Sequence, residues 1–293
     1  MRVTQSMLSN NMLKNLSNSY SNLGKYMDQL STGKKINKPS DDPVIAMKGM
    51  NYRSQLIEVE QFLRNTNEVH NWMDNSDAAL DKATQAVQKL RELAVQASSD
   101  TYGPEERKNI MEEAEQLKEH LIEIANTKVN GKYIFNGSAT NQAPINGDAN
   151  DVEFNTEIVN IEVANGTKLQ ANINPEKVFG NTDDNIFQDI DGFINALENN
   201  DQEAIEQSIE TLDSNINNII NARADLGARM NRLELVENRL AEQEVIATKM
   251  MSENEDVDYE EAITNLITQE SVHRAALSAG SRIIQPTLLD FLR

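Results

Sequence analysis

Few side chains in this 293-residue chain are of a type that makes or breaks bonds. Cysteine is absent, which removes thiol nucleophiles, thiolate metal ligands and disulfides. The three histidines, His70, His120 and His273, are far apart, and none sits at a short metal-ligand spacing from another. Gly33-Lys34 lacks the upstream glycine and the following Ser or Thr of a phosphate-cradling loop, and no nucleophile-elbow pattern occurs. Acidic runs at Asp183-Asp184 and at residues 253–261 (ENEDVDYEE) offer oxygen ligands. They lack EF-hand spacing and its central glycine, so they read as solvated acidic turns. His70 beside Val69, and the sole tryptophan, Trp72, beside Met73, read as helix packing. The expectation is a non-enzymatic chain with no cofactor, no metal and no small-molecule substrate.

Charge narrows the partners. Lys+Arg 27 against Asp+Glu 47 leaves a net charge of −20, unevenly placed. Residues 1–50 balance at +4, residues 271–293 at +2, and the body between them at −26. An acidic body of that size repels nucleic acid and anionic membrane. No run of about 18 apolar residues occurs, and the first residues, MRVTQSMLSNNMLKNL, lack the apolar stretch and cleavage site of a secretory signal. Hydrophobic residues reach 39% but aromatics only 5%, so a core must be built from aliphatic side chains and Met.

Such residues would be positioned by helices. Leu13, Leu16, Tyr20, Leu23, Met27 and Leu30 alternate spacings of three and four, the seam of a coiled coil over residues 4–31. The facing residues are mostly Asn, Ser, Lys and Gln, and Asn10, Asn11, Asn15, Asn18 and Asn22 are mediocre helix formers, so this helix needs a partner. Gly33 stops the pattern, and Asp42 before Pro43 reads as a helix cap, with Ser40 and Asp41 in the loop. A second helix is expected over 44–98, with an unbroken seam from Val59 through Val69, Met73, Leu80 and Val87 to Ala97. A third follows from Glu105 and ends before Gly131, antiparallel to the second.

From Lys132 to Asp183 the helical period vanishes and Asn-Gly turns separate short β-like runs. Helical patterning then resumes with Ile186–Leu197. A long helix is expected over 201–252, where Leu212, Ile219, Leu226, Leu233 and Leu240 recur every seven and Arg223 and Glu237 interrupt the second seam position. Gly227 there costs about 1 kcal/mol relative to Ala, which predicts close approach by a neighbouring helix. The last helix carries Ile263, Leu266, Leu277 and Ile284, followed by an apolar tail with Leu288, Leu289 and Phe291.

The fold class read from these patterns is mainly α. An elongated antiparallel helical bundle or coiled coil is formed by the N- and C-terminal segments, with a small β-rich insert. Three domains are expected. Residues 1–43 with 258–293 form a terminal coiled-coil assembly domain, 44–131 with 184–257 a long-helix core, and 132–183 an outer insert. Terminal helices too polar to fold alone, and an apolar tail, point to folding coupled to association.

Three segments carry a resemblance. Residues 30–46 (LSTGKKINKPSDDPVIA), 90–97 (LRELAVQA) and 224–234 (ADLGARMNRLE) resemble, in order, motifs of the bacterial flagellin superfamily. The start MRVTQSML, the stretch NGKYIFNGSA (130–139) and the end QPTLLDFLR are more similar to its hook–filament junction members than to its filament subunits. Asn136 and Thr287 depart from that pattern.

The resemblance implies a structural role outside the cell, in the flagellum, with export by the flagellar type III route. It implies hook-associated protein 1, flagellin and further copies of the chain in a ring as partners, and an export chaperone at the C-terminal segment. Its motif residues are Gly33, Ser40, Asp41, Asp42 and Pro43 in the loop, Arg91 and Glu92 on the first long helix, and Leu226, Gly227, Arg229, Asn231 and Arg232 on the second. The terminal heptads from Leu13 to Leu30 and from Ile263 to Ile284 would pair with one another. A filament flagellin, and a cytosolic coiled-coil scaffold, are the alternative readings.

Overall fold

The computed structural model describes residues 5–99, 102–145, 152, 154–182 and 184–284. Its elements are α1 (Gln5–Thr32), α2 (Pro43–Ala97), α3 (Pro104–Ala125), β1 (Lys128–Val129), β2 (Lys132–Tyr133), β3 (Asn160–Ala164), β4 (Thr167–Gln170), α4 (Glu176–Phe179), α5 (Ile186–Glu198), α6 (Gln202–Glu255) and α7 (Tyr259–Ile284). The chain is mainly helical, with a small strand-bearing insert between helical regions. It forms two compact units, Val59–Glu242 and Met1–Glu58 with Gln243–Arg293. The division falls inside the two longest helices, whereas the sequence reading placed boundaries at the loops near 43 and 257.

The unit of residues 59–242 holds one contiguous core. In α2, Thr66, Val69, Met73, Ser76, Leu80, Ala83, Val87, Leu90, Ala94 and Ala97 are all buried, the register that the seven-residue repeat predicts. In α6, Ile205, Leu212, Ile219, Leu226, Leu233 and Leu240 are buried likewise. The two helices run antiparallel: Arg91 of α2 pairs with Asp213, and Arg223 of α6 reaches back to Asp77 and Asp81. Lys89 of α2 lies 3.8 Å from Glu113 of α3, and Lys118 of α3 bonds Asp191 of α5 at 2.5 Å.

The insert shares this core. Phe179 stacks on Phe154 and Phe187, both at 5.9 Å between ring centroids, and meets Phe135 edge-on at 5.4 Å. Such pairs add about 0.5–1.5 kcal/mol each beyond area burial. The few aromatics are thus concentrated where short strands bury little by themselves. β1 and β2 pair antiparallel around Asn130-Gly131, whose φ values of 52° and 78° suit a two-residue hairpin turn. β3 and β4 pair antiparallel with a register shift beside Ala164. Asn185 caps α5 by accepting from the Phe187 and Gln188 amides.

In the other unit α1 packs against α7. The pair is antiparallel: the Gln269 amide donates to Ser19 Oγ at 3.1 Å, Gly280 faces Met12, and Gly33 faces Tyr259. One stripe of half-buried or buried positions on α1 runs through Met12, Leu16, Ser19, Leu23, Tyr26 and Leu30, and one on α7 through Ala262, Leu266, Gln269, His273, Ala276 and Gly280. Both stripes step by four and three, a coiled-coil spacing. The α7 stripe is made largely of small or polar side chains, so it buries little apolar area.

Candidate assembly interface

The loop motif after α1 is held by its own polar groups. Asp41 accepts the Asn37 and Lys38 amides at 3.2 and 3.0 Å, while Asp42 accepts those of Val44 and Ile45 at 2.9 and 3.1 Å. Asp42 therefore caps α2, with Pro43 at the first helical position where no amide is missed. Ser40 is exposed. Gly33 adopts φ 70°, and a Cβ there would meet Tyr259 Oη at 2.9 Å.

Across from this loop lies the end of α6. Lys35 donates its amide to the Glu255 carbonyl at 2.6 Å, and the Val257 amide donates to the Gly33 carbonyl at 3.0 Å. Lys34 Nζ bonds Asp256 at 2.6 Å and lies 3.6 Å from Glu255; Arg53 bonds Glu255 at 2.7 Å. The Asn254 amide adds a bond to the Ile45 carbonyl at 3.0 Å. The hydrogen bond from Lys34, helped by that from Ser252, holds the Asp256 carboxyl below its ordinary range. The same Asp256 bond raises Lys34 against the lowering effect of desolvation. Glu255 is buried, against the expectation that the whole run 253–261 is a solvated turn. Its burial follows from Gly49, which leaves room on α2 for the carboxylate.

The heptad residues of the ends separate into two sets. Leu16, Leu23 and Leu30 lie in the α1 stripe that faces α7, as does Leu266 of α7. Leu13, Tyr20 and Met27 are 55%, 69% and 55% exposed, and Ile263 and Leu277 are 46% and 49% exposed. Of the seam expected from Leu13 to Leu30 against Ile263 to Ile284, the positions Leu13, Tyr20, Met27, Ile263 and Leu277 are therefore corrected, while α1 and α7 do pack on one another. On α1 the inner positions are Met12, Ser19 and Tyr26, one residue earlier, because α7 presents small side chains there. Ile284 ends α7, and its side chain, like Leu288, Leu289 and Phe291, lies outside the described residues.

Of the long-helix motif residues, Arg91 is engaged with Asp213, and Glu92 lies 3.7 Å from Lys89. Leu226 is buried, and Arg229 donates to the Asn172 carbonyl at 3.1 Å and to Asp225. Asn231 and Arg232 are exposed. Gly227 has no heavy atom within 4 Å of where its Cβ would stand, so no helix of this chain makes the close approach expected there. The seam interruption Arg223 is explained by its fork to Asp77 (3.0 and 3.3 Å) and Asp81 (2.7 Å). Sequence reasoning missed Gly49, Arg53 and Glu255. A glycine inside a long helix, four residues before an arginine, was the available signal.

No group of three or more potential metal ligands occurs among the described residues, and no described helix is long and apolar enough to cross a membrane. A cleft of about 320 Å³ beside α4 and α6 is lined by Asn174, Glu176, Lys177, Asn221, Asp225 and Arg229, without histidine or hydroxyl side chains.

What distinguishes the two units is apolar exposure. Every member of the contiguous core lies between Val69 and Leu240. Among the described residues, all but four of the exposed large apolar side chains lie in the unit made by the chain ends; the four are Val95, Ile158, Ile220 and Leu235. Nearly all of the net negative charge lies in the other unit. One unit is a finished, acidic, self-contained core; the other is nearly neutral and leaves its largest apolar groups uncovered.

The matches to known proteins extend over both units. The pattern of the bacterial flagellin N-terminal helical region matches residues 3–140, and that of the C-terminal helical region matches residues 209–292. Flagellar hook-associated protein 3 of Escherichia coli K12 is 25% identical over 303 aligned residues, covering 95% of this chain and 96% of that protein. A flagellin of Listeria innocua is 27% identical over 270 residues, covering 90% of each. The crystal structure of Bacillus cereus FlgL superposes with a TM-score of 0.61 at 25% identity, over 69% of this chain and 99% of that one. These relatives are structural proteins of the flagellum and not enzymes.

Proposed function

Since the chain belongs to the bacterial flagellin family, both of whose helical regions it carries, we propose that it is a structural subunit of the hook–filament junction. In this reading it stands between hook-associated protein 1 and the flagellin filament, in a ring of its own copies. It reaches that place outside the cell through the flagellar export apparatus, with an export chaperone on its C-terminal segment beforehand. The hook-associated relative, aligned over almost the whole of both chains, supports the junction assignment.

The observation that carries the reading is the concentration of exposed apolar groups in the unit formed by the two chain ends. Leu13, Tyr20 and Met27 make a row on α1 with one residue per two turns, and Ile263, Ile267 and Leu277 line α7. Each such side chain, if fully buried, contributes about 1.5–3 kcal/mol. A thin α1–α7 pair supplies little of that internally, whereas neighbouring copies covering these rows supply it on assembly. Soluble monomers rarely keep so much apolar surface open unless it is an interaction site.

The test is genetic. A strain lacking this chain is expected to build hooks and to release flagellin into the medium. Filaments retained at the wild-type level in that strain would reject the junction role. The flagellin of Listeria innocua favours a second reading, a filament subunit; long polymers formed by the purified chain alone would select it.

A further inference from the structure

We propose that Arg232, Leu235 and Arg239 on α6 form a docking face for Glu105, Glu112 and Glu119 on α3 of a second copy of this chain. The inference deepens the reading above, since it names a contact by which copies join. It concerns only the unit of residues 59–242, where the core is complete and apolar exposure is otherwise slight.

Leu235 is 71% exposed, the highest value among the described large apolar side chains. Arg232 lies three residues before it and Arg239 four after, which puts all three on one helix face. Every other arginine of the unit has a partner in the chain. Arg64 contacts Glu60 and Gln61, Arg91 contacts Asp213, Arg107 contacts Gln202, Arg223 contacts Asp77 and Asp81, and Arg229 contacts Asp225. Arg232 and Arg239 have none among the described residues. A strongly acidic unit thus leaves two guanidinium groups unpaired on either side of an uncovered leucine. An apolar anchor flanked by arginines is the composition of an interface centre and its rim.

The complementary surface is on the same molecule, and among the described residues no bond joins Arg232 or Arg239 to Glu105, Glu112 or Glu119. Glu105, Glu112 and Glu119 recur every seven residues along the exposed face of α3. Glu119 accepts only a 3.4 Å bond from Gln116, and Glu105 and Glu112 have no partner among the described residues. Seven residues of helix span about 10.5 Å, so the Arg232–Arg239 and Glu112–Glu119 separations along their axes match. Glu203 and Glu210 on α6 share the spacing, but an α6-to-α6 contact is reciprocal and closes a twofold dimer. The α6-to-α3 contact joins two different faces and propagates from copy to copy, as a ring requires.

The test uses full-length chains in the deletion strain, with filament retention scored per exported subunit. Arg232→Glu/Arg239→Glu is expected to reduce retention roughly tenfold or more, and Glu112→Arg/Glu119→Arg likewise, through like-charge juxtaposition. The chain carrying all four changes is expected to recover most of the wild-type level. The milder Arg232→Gln/Arg239→Gln is expected to lie between, and the purified variants to melt with the wild type, because the one internal bond touched is the long, exposed one from Gln116 to Glu119. Full retention by Arg232→Glu/Arg239→Glu overturns the proposal. So does loss without recovery in the four-fold variant, or recovery by Glu203→Arg/Glu210→Arg in place of the α3 changes. Failure of the junction reading looks different: the deletion itself then sheds no flagellin.

Discussion

Replacing Gly49 by alanine separates local propensity from tertiary fit. In a helix interior the change gains about 1 kcal/mol. At this position, however, the new Cβ would stand 2.4 Å from Glu255 Oε1 and 3.2 Å from its Cδ. Glu255 is 4% exposed, so its carboxylate cannot shift without leaving its site. Leaving costs the 2.7 Å bond from Arg53 and the 3.6 Å contact with Lys34. A charge-assisted hydrogen bond contributes about 1.5–3 kcal/mol. Arg53 is 59% and Lys34 38% exposed, which places the loss at the lower end. With lost packing added and the propensity gain subtracted, Gly49→Ala destabilises the loop junction by about 1 kcal/mol.

Hydrogen exchange at the Lys35 and Val257 amides reads that junction directly, since both bond across it. Opening there is expected to be roughly fivefold more frequent. In a Glu255→Ala background the obstruction is gone, and the same glycine change is expected to slow exchange instead. Gly280→Ala is the contrast: it meets only the flexible end of Met12, at 2.7 Å, which can move aside. If Gly49→Ala slowed exchange equally with and without Glu255, the carboxylate would have no part in closing the junction and the reasoning would fail.

Gly227→Ala, with open space around it, is expected to raise the stability of the 59–242 unit by about 1 kcal/mol in urea unfolding; a loss would show that the site is not open. Arg223→Ala leaves Asp77 and Asp81 facing each other in an acidic unit and is expected to cost about 1–2 kcal/mol in the same assay, while Lys249→Ala, whose ion pair is wholly at the surface, changes stability by less than about 0.5 kcal/mol. For Lys34 and Asp256 the signs follow from their shifts. Asp256, lowered chiefly by the Lys34 bond, contributes stability above its unfolded pKa and loses it as pH falls through the folded value. Lys34, raised by the Asp256 bond, contributes below its unfolded pKa and loses it as pH rises through the folded value. The pair is therefore intact across the neutral range, and NMR titration is expected to return the Asp256 carboxyl toward its ordinary range in Lys34→Met.

Legibility from sequence followed the chemistry of the partner. From Thr66 to Ala97 the repeat runs long enough that only one register buries it, and the structure uses that register. On α1 the periodicity was equally visible, but it cannot say what lies opposite. Leu13, Tyr20 and Met27 are larger than Met12, Ser19 and Tyr26 in apolar content as a set. The α7 stripe of Ala262, Ala276 and Gly280 nonetheless receives the second group. Glu255 looked like one more solvated acid because the two cations that face it are some two hundred residues away. Gly227 and Gly49 look alike in sequence, and only the surrounding atoms tell the open site from the filled one. The aromatic cluster between the insert and α5 was hidden because Phe135, Phe154, Phe179 and Phe187 follow no common period and meet only in the folded unit.

The central claim is that one unit of this chain is complete and the other is completed by its neighbours. Hydrogen exchange of the full-length chain, free in solution and in isolated flagella, measures this element by element. The account predicts strong protection of residues 66–97 and 205–240 in both states, with α1 and α7 weakly protected when free and strongly protected when assembled. Equal protection of α1 and α7 with the core helices in the free chain would contradict it.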